Sequence, residues 1–287
     1  MPSKHLFGSH LSIAGGMHKA VASAVELELG TVQVFTKNQQ QWKVPPLEEE
    51  AVAAWRSACD QAGYVKTVSH ASYLINLATP DAAAKKKAAS LFAEEVRRCD
   101  TLGIPYLVIH PGAHMGDGVD VGIERIVQML DATLANNNGE TIVCLESTAG
   151  QGSSVGHELE HLAAIIEQSK HADRLAVCLD TAHLFAAGYD FRGRKYQAFV
   201  RKIKGTIGVD RVKVWHLNDS KKPLDSRVDR HEHIGLGTIG DDGFRPLMRD
   251  KRWHGLPMIL ETPKAKHDDG RDWDAVNVER LKGLAKR

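Results

Sequence analysis

The chain has 287 residues, of which 43% are hydrophobic and 25% are charged, and these proportions are typical of a globular protein. The formal net charge of +1 excludes a strong overall field that would attract a polyanion, so a nucleic-acid partner would have to be held by local basic groups. An α/β barrel fills this length as one unit, and we expect a single domain over residues 1–287.

The four cysteines are scattered and include no Cys-x-x-Cys pair. This spacing excludes a disulfide framework and a thiolate zinc site, and it favours reduced, buried cysteines. No apolar stretch approaches the ~20 residues that a membrane span requires. The first strand is expected to begin at His5, which leaves no room for a signal peptide. We therefore expect a cytoplasmic protein without a membrane partner, and a compact barrel of this kind can work as a monomer.

Eight short apolar runs divide the chain, and each predicts a buried strand. The first two run from Leu6 to His10 and from Thr31 to Phe35. Each of the other six ends on an imidazole or a carboxylate, with steps of 34 to 45 residues between them. A repeat of this length fits one strand, one helix and two loops. The six strand-end residues are His70, His110, Glu146, Asp180, His216 and Glu261.

Helical patterns lie between these runs. Thr79-Pro80-Asp81 predicts a helix start with proline at the first helical position, and apolar residues at steps of three and four follow until Gly103. Alternation of strand and helix along the chain predicts the α/β class and a (β/α)8 TIM barrel. An open doubly wound sheet would also alternate, but it gathers its ligands at one switch point rather than at strand ends all along the chain.

Side chains at the carboxyl ends of barrel strands converge on one mouth. Six imidazoles and carboxylates there would be costly without cations, so the pattern predicts a metal site. Two clusters extend this site. His183 follows Asp180 by three residues, just past the strand. Asp229 and His231 flank Arg230, so in an extended loop both project to one side, and Arg230 points elsewhere and is free to hold a phosphate.

The complete ligand set contains imidazoles and carboxylates but no thiolate. Such a set suits zinc, with manganese or iron possible at one position, and suits magnesium less well. Nine ligands are too many for one ion, but with three or four ligands each and one shared carboxylate they suit three. The nine are His70, His110, Glu146, Asp180, His183, His216, Asp229, His231 and Glu261.

The remaining histidines have no such placement. His10 and His114 lie near the predicted mouth, and we interpret them as residues that support the ligands. The others are interpreted as residues of the surface or of a solvated loop: His5, His18, His157, His161, His171, His233, His254 and His267.

Three stretches resemble the signatures of the endonuclease IV family of zinc-dependent apurinic/apyrimidinic (AP) endonucleases. They run from His70 to Leu77, from Cys178 to His183 and from Trp215 to His231. The resemblance covers the chain from His10 to Glu261, and three signatures in order are highly specific. It implies hydrolysis of the phosphodiester on the 5′ side of an abasic site in double-stranded DNA, which leaves a 3′-hydroxyl and a 5′-deoxyribose phosphate. It also implies removal of 3′-blocking groups and a place in base excision repair.

The resemblance also implies roles for the ligands and for surface residues. The ligands would form three zinc sites: His70, His110 and Glu146; then Glu146, Asp180, His216 and Glu261; then His183, Asp229 and His231. Glu146, as the bridge, and Glu261, which also positions the attacking water, would be the catalytic residues. For DNA binding, Lys37 to Trp42, including Gln40, would line the minor groove, while Tyr73 and Leu74 would press into the duplex at the lesion.

The chain departs from the family pattern at Gln40, where bacterial relatives often carry an arginine that enters the DNA stack, and at Asp225, where glycine is usual. We expect a weaker or differently built wedge at Gln40, and a turn before Asp229 whose geometry depends on Asp225. The alternative function is a metal-dependent sugar isomerase or epimerase on a similar barrel. In that function the cluster of His183, Asp229 and His231 would have no role. A third possibility is a non-catalytic barrel that binds damaged DNA or stores metal. Such a protein would need no zinc ion with an open coordination position.

Overall fold

The computed structural model describes residues 5–286. Its main sheet has eight parallel strands in the order β1-β10-β7-β6-β5-β4-β3-β2, and a parallel bridge between His10 and Gln33 brings the two end strands together. The predicted TIM barrel is confirmed. The strands are β1 (Leu6–Ser9), β2 (Gln33–Val34), β3 (Val68–His70), β4 (Tyr106–Ile109), β5 (Ile142–Glu146), β6 (Leu175–Asp180), β7 (Val212–His216) and β10 (Pro257–Leu260). A separate antiparallel ribbon is formed by β8 (Asp219–Ser220) and β9 (His231–Glu232).

Helices follow the strands and pack on the outside of the barrel. Within the described residues they are α1 (Met17–Glu26), α2 (Glu49–Ala62), α3 (Ala82–Leu102), α4 (Val119–Leu134), α5 (Leu159–Gln168), α6 (Thr181–Ala186), α7 (Tyr196–Thr206), α8 (Gly240–Arg249) and α9 (Trp273–Ala285). The predicted start of α3 was wrong by two residues. Asp81 is the N-cap, because its carboxylate accepts a hydrogen bond from the Ala84 amide at 2.6 Å, and Pro80 therefore precedes the helix.

The barrel has two apolar layers, and their alternation along each strand places the strand-end residues. In β5, Val143 and Leu145 pack in the layer under the helices, whereas Cys144 belongs to the small cluster inside the barrel. Successive side chains of a strand point to opposite faces, so Glu146 points inward above Cys144. The same step of two joins Val68 to His70, and it recurs from Val108 to His110, Cys178 to Asp180, Val214 to His216 and Ile259 to Glu261.

All four cysteines are buried and free, and burial raises the pKa of the Cys59 thiol to about 12. This agrees with the prediction of reduced cysteines in apolar surroundings. Among the described residues, no helix combines the length and the apolar character that a membrane crossing would demand.

Gly112, in the loop after β4, has a φ of +123°. A Cβ atom there would lie 2.4 Å from Asn76 Oδ1. That oxygen accepts hydrogen bonds from the Ala78 and Ala113 amides at 3.0 and 2.9 Å, and the Asn76 amide donates to the Ala113 carbonyl at 2.9 Å. Asn76 thus ties the loop after β3 to the loop after β4, in a space that only glycine leaves open.

Gly112→Ala is expected to lower the free energy of unfolding by about 3 kcal/mol, from backbone strain plus the clash with Asn76. Urea unfolding followed by circular dichroism measures this loss. Gly116→Ala is the matched control, because Gly116 also has a positive φ but its Cβ would meet nothing within 4 Å. Equal losses for the two variants would contradict the clash.

Candidate metal centre

Glu146 stands at the centre of the barrel mouth and is completely buried. Its Oε2 atom lies 3.1 Å from Nε2 of both His70 and His110. Its Oε1 atom lies 3.0 Å from Nδ1 of His216 and 3.3 Å from Nδ1 of His183. One carboxylate therefore faces four imidazoles that come from four different strands or strand ends, as expected of a bridging ligand.

The nine predicted ligands come together in adjoining groups. In each of three groups the possible ligand atoms lie within 4.8 Å of one another. Asp229 joins the third, because its two oxygens lie 3.2 Å from Nε2 of His183 and 3.2 Å from Nε2 of His231. The groups are His70, His110 and Glu146; Glu146, Asp180, His216 and Glu261; and Asp180, His183 and His231. The structure thus places Asp180 in two groups, which the sequence did not predict.

Backbone carbonyls orient three of the imidazoles. His70 Nδ1 donates to the Ala71 carbonyl at 2.7 Å, and His183 Nδ1 donates to the Ser147 carbonyl at 2.8 Å. His231 Nδ1 lies 3.3 Å from the Glu261 carbonyl. A proton held on Nδ1 in this way leaves Nε2 with its lone pair directed into the mouth, which is the arrangement that metal-binding histidines use.

The buried carboxylates of the mouth are surrounded by imidazoles, which favour the ionised form of each carboxylate. Burial alone would raise the pKa of Glu146, but the imidazoles of His216 and His110 outweigh it and hold that pKa well below its ordinary value. Burial opposes protonation of His231, yet Asp180 and Asp229 raise its pKa to about 9. Buried carboxylates that stay ionised require cations beside them.

The donor set fits divalent metal ions of the zinc type. Nε2 of His231 is buried and makes no hydrogen bond, although Asp229 Oδ1 is only 3.2 Å away. Two possible metal-ligand atoms at this distance, with no hydrogen bond between them, suit coordination of one shared cation. Imidazole nitrogen and carboxylate oxygen without thiolate match zinc, manganese or iron better than magnesium.

Two further residues position the candidate ligands, and neither was predicted as a site residue. The Asn218 amide donates to Asp180 Oδ2 at 2.6 Å, and its carbonyl oxygen accepts from the Glu261 backbone at 2.9 Å. The buried Asp219 carboxylate accepts from the amides of Gly235 and Ile239 at 2.9 Å each. It anchors the ribbon of β8 and β9, which carries His231 of the third group. Both residues lie in the stretch Trp215 to His231, so their position beside a ligand was the available signal.

The predicted DNA-contacting residues divide into exposed and buried ones. Tyr73 is 60% exposed at the rim, with its ring 5.2 Å from that of His70. Leu74 is half-buried, and Gln40 and Arg230 are exposed. Lys37 is different, with only 4% of its surface exposed.

The predicted direct contact of Lys37 with DNA does not fit the structure. Its ammonium group donates to the carbonyl oxygens of Asn38 and Gln41 at 3.0 and 2.9 Å, and it lies 3.9 Å from the buried carboxylate of Glu95. The long side chain folds back under its own loop because a buried acceptor is available there. Lys37 therefore braces the loop that carries Gln40.

Asp225, where the family resemblance implies a glycine, adopts a backbone conformation that favours glycine. Its φ is +61°, in the left-handed region that aspartate tolerates better than most residues. Its amide donates to the Phe185 carbonyl at 3.1 Å, and its carboxylate accepts from Arg227 Nε at 3.1 Å. The turn before Asp229 thus keeps a left-handed residue despite the substitution.

Three histidines interpreted as surface or solvated-loop residues are buried: His5, His161 and His233. His5 packs its ring on Phe7 and His254 at centroid distances of 5.4 and 4.9 Å. His161 accepts a hydrogen bond from the Gly156 amide through Nδ1 at 3.3 Å. A neutral His161 then carries its proton on Nε2, so the neighbouring group of His157, Glu158 and His161 lacks the free lone pair that a ligand needs.

The fold and the site together define a class of protein. Residues 21–284 match the family described as xylose isomerase-like TIM barrel, and the chain belongs to that family. Within it, the chain is 46% identical over 282 residues to the "Probable endonuclease 4" of Geobacter sulfurreducens, covering 98% of this chain and 94% of the relative. It is 45% identical to the "Probable endonuclease 4" of Chloroflexus aggregans, covering 98% of both. The chain is therefore a member of the endonuclease 4 family.

Solved structures agree with this placement. The crystal structure of endonuclease IV from Thermus thermophilus superposes with a TM-score of 0.85 at 34% identity, covering 97% of this chain and 98% of that one. A D-tagatose 3-epimerase-like protein superposes with a TM-score of 0.73 at 18% identity, covering 97% and 96%. The second likeness, at this identity, concerns the fold alone.

Proposed function

We propose that the protein is a zinc-dependent AP endonuclease. It hydrolyses the phosphodiester on the 5′ side of an abasic site in double-stranded DNA and leaves a 3′-hydroxyl and a 5′-deoxyribose phosphate. The same chemistry would remove 3′-blocking groups in base excision repair. The observation that carries the proposal is Glu146, whose two oxygens face imidazoles from all three adjoining ligand groups at 3.0–3.3 Å.

Three zinc ions would be held by the nine residues, with Glu146 shared. When bound, zinc supplies Lewis acidity toward the phosphate and lowers the pKa of water to ~7. Asn218 holds Asp180 and the backbone of Glu261 in place, and the backbone carbonyls that fix His70 and His183 keep their Nε2 atoms directed inward. Such preorganised groups need no rearrangement as charge develops on the phosphate.

The substrate would approach through cavities on the two sides of Tyr73. A cavity of about 300 Å³ is lined by Tyr73, Asn76, His110, His183 and Asp229, among others. This volume is at the lower end of the ~300–1,000 Å³ range of ligand sites, so it suits a sugar-phosphate unit without its base. Flipping out an abasic nucleotide also costs less than the few kcal/mol of an intact base, which favours the lesion without reading sequence.

Incubating the zinc-loaded protein with a duplex that carries one abasic analogue tests the proposal. We expect one nick on the 5′ side of the lesion, and none in the same duplex without it. A protein that leaves the abasic duplex intact while epimerising free ketoses would overturn the proposal in favour of the sugar isomerase or epimerase. That alternative gives no role to Asp229 and His231, which complete the third ligand group here.

Arg230 is exposed between two ligands and is positioned to contact a DNA phosphate. Arg230→Gln is expected to weaken binding of the abasic duplex and to reduce the slope of log K against log salt by about 1. Fluorescence anisotropy at several salt concentrations measures this slope. Arg201→Gln, which removes an exposed charge from the outer helix α7, should leave the slope unchanged. Equal slopes for wild type and Arg230→Gln would rule out the phosphate contact.

A further inference from the structure

Gln33 lies in β2 with none of its surface exposed, and its side-chain amide connects two ligands from distant strands. Nε2 of Gln33 lies 2.6 Å from Oε1 of Glu261, and Oε1 of Gln33 lies 2.9 Å from Nε2 of His216. A buried amide whose nitrogen and oxygen both have hydrogen-bond partners is held in one orientation. None of the predicted motifs includes this residue.

The chemistry of the partners fixes the orientation of the amide. As a metal ligand, Glu261 would be deprotonated, and a carboxylate only accepts hydrogen bonds. The nitrogen of the Gln33 amide must therefore face Glu261, and its oxygen must face His216. An amide oxygen accepts only, and Nε2 of His216 must accordingly carry a proton.

The consequence falls on the other nitrogen of the same ring. Nδ1 of His216 lies 3.0 Å from Oε1 of Glu146 and 3.2 Å from Oε2 of Glu261. With the proton of the neutral ring held on Nε2, the lone pair of Nδ1 is directed at the space between these carboxylates. His70 and His183 have the opposite arrangement, with Nδ1 on a backbone carbonyl. The Gln33 amide thus sets His216 to bind through Nδ1.

We propose that Gln33 is a positioning residue of the metal centre, which selects the Nε2-protonated tautomer of His216 and holds Glu261 beside it. The inference rests on the proposed function, because it concerns the ligand group of Glu146, Asp180, His216 and Glu261. Loss of Gln33 would leave His216 Nε2 without its acceptor. Glu261 would keep the contact between its Oε1 and His10 Nδ1 at 3.1 Å, so the larger effect is expected at His216.

Gln33→Met removes both hydrogen bonds at similar volume. We expect it to bind the zinc ion of the His216 group about 10–100-fold more weakly, the usual effect of losing a residue that orients a ligand, while the other ions bind as in the wild type. Competition against a chromophoric zinc chelator measures these affinities, and the visible spectrum of the cobalt-substituted protein reports the changed ligand geometry. Thr31→Val is the matched control, because it removes one buried hydrogen bond, from Thr31 Oγ1 to the Lys66 carbonyl at 2.7 Å, two residues before Gln33.

Zinc affinities and a cobalt spectrum that match those of Thr31→Val would overturn the inference. If Gln33→Met does not fold, Gln33→Asn supplies the same comparison, because its shorter amide reaches only one partner. Independently, ¹⁵N–¹H spectra of histidine-labelled, zinc-loaded wild type should place the His216 proton on Nε2, and a proton on Nδ1 would refute the tautomer assignment. A wild type that binds no zinc would refute the proposed metal centre itself, whereas wild-type zinc binding with unchanged Gln33→Met affinities refutes only the role of Gln33.

Discussion

Glu146→Gln is expected to lower the rate of abasic-site cleavage by about 1,000-fold or more, on the scale of losing an electrostatic group that acts directly on the reaction. The substitution keeps the size of a fully buried side chain but removes the negative charge that two ligand groups share. It also places an amide nitrogen at a position where, in the wild type, a carboxylate oxygen faces imidazole nitrogens. Single-turnover nicking of an abasic duplex, with the variant fully loaded with zinc, measures the loss.

Glu160→Gln is the control for this substitution. It neutralises a carboxylate on the outer helix α5, which pairs with Lys202 at the surface, so cleavage should stay within about twofold of wild type, because exposed ion pairs contribute little. A Glu146→Gln variant that keeps more than a tenth of the wild-type rate would contradict the bridging role of Glu146.

Removal of the metal ions is expected to abolish cleavage and to destabilise the fold. The mouth holds buried carboxylates and imidazoles whose arrangement requires cations, and binding to the native state alone stabilises it. Dialysis against a strong chelator should lower the melting temperature by about 10 °C and stop nicking. Zinc in slight excess should restore both properties. Restoration by magnesium at the same concentration would contradict the imidazole-rich ligand set.

The barrel and the positions of the six strand-end candidate ligands were predictable from the sequence, because one rule places them. Each strand-end ligand follows an inward-facing apolar residue by two positions, as Glu146 follows Cys144, and the period of a strand is two. Parallel strands of a barrel then bring these ends to one mouth. The cluster of Asp229 and His231 obeys the same local rule in its loop, where the two side chains flank Arg230.

The residues that orient the ligands could not be predicted in this way, because their partners are remote in sequence. Gln33 contacts His216 and Glu261 across the closed barrel, and nothing in its own strand marks it. The burial of Lys37 depends on Glu95 in a helix that follows a different strand. A local pattern places the start of a long side chain but does not determine where its end finds a partner.

Counting the bound ions tests the central claim most directly, because we propose a centre of three zinc ions around Glu146. Native mass spectrometry and elemental analysis of the purified, zinc-exposed protein should give about three zinc ions per chain. Asp229→Ala, which removes two contacts of the third group at 3.2 Å, should give about two. A wild type that binds a single ion, or an Asp229→Ala variant that binds as many as the wild type, would contradict the claim.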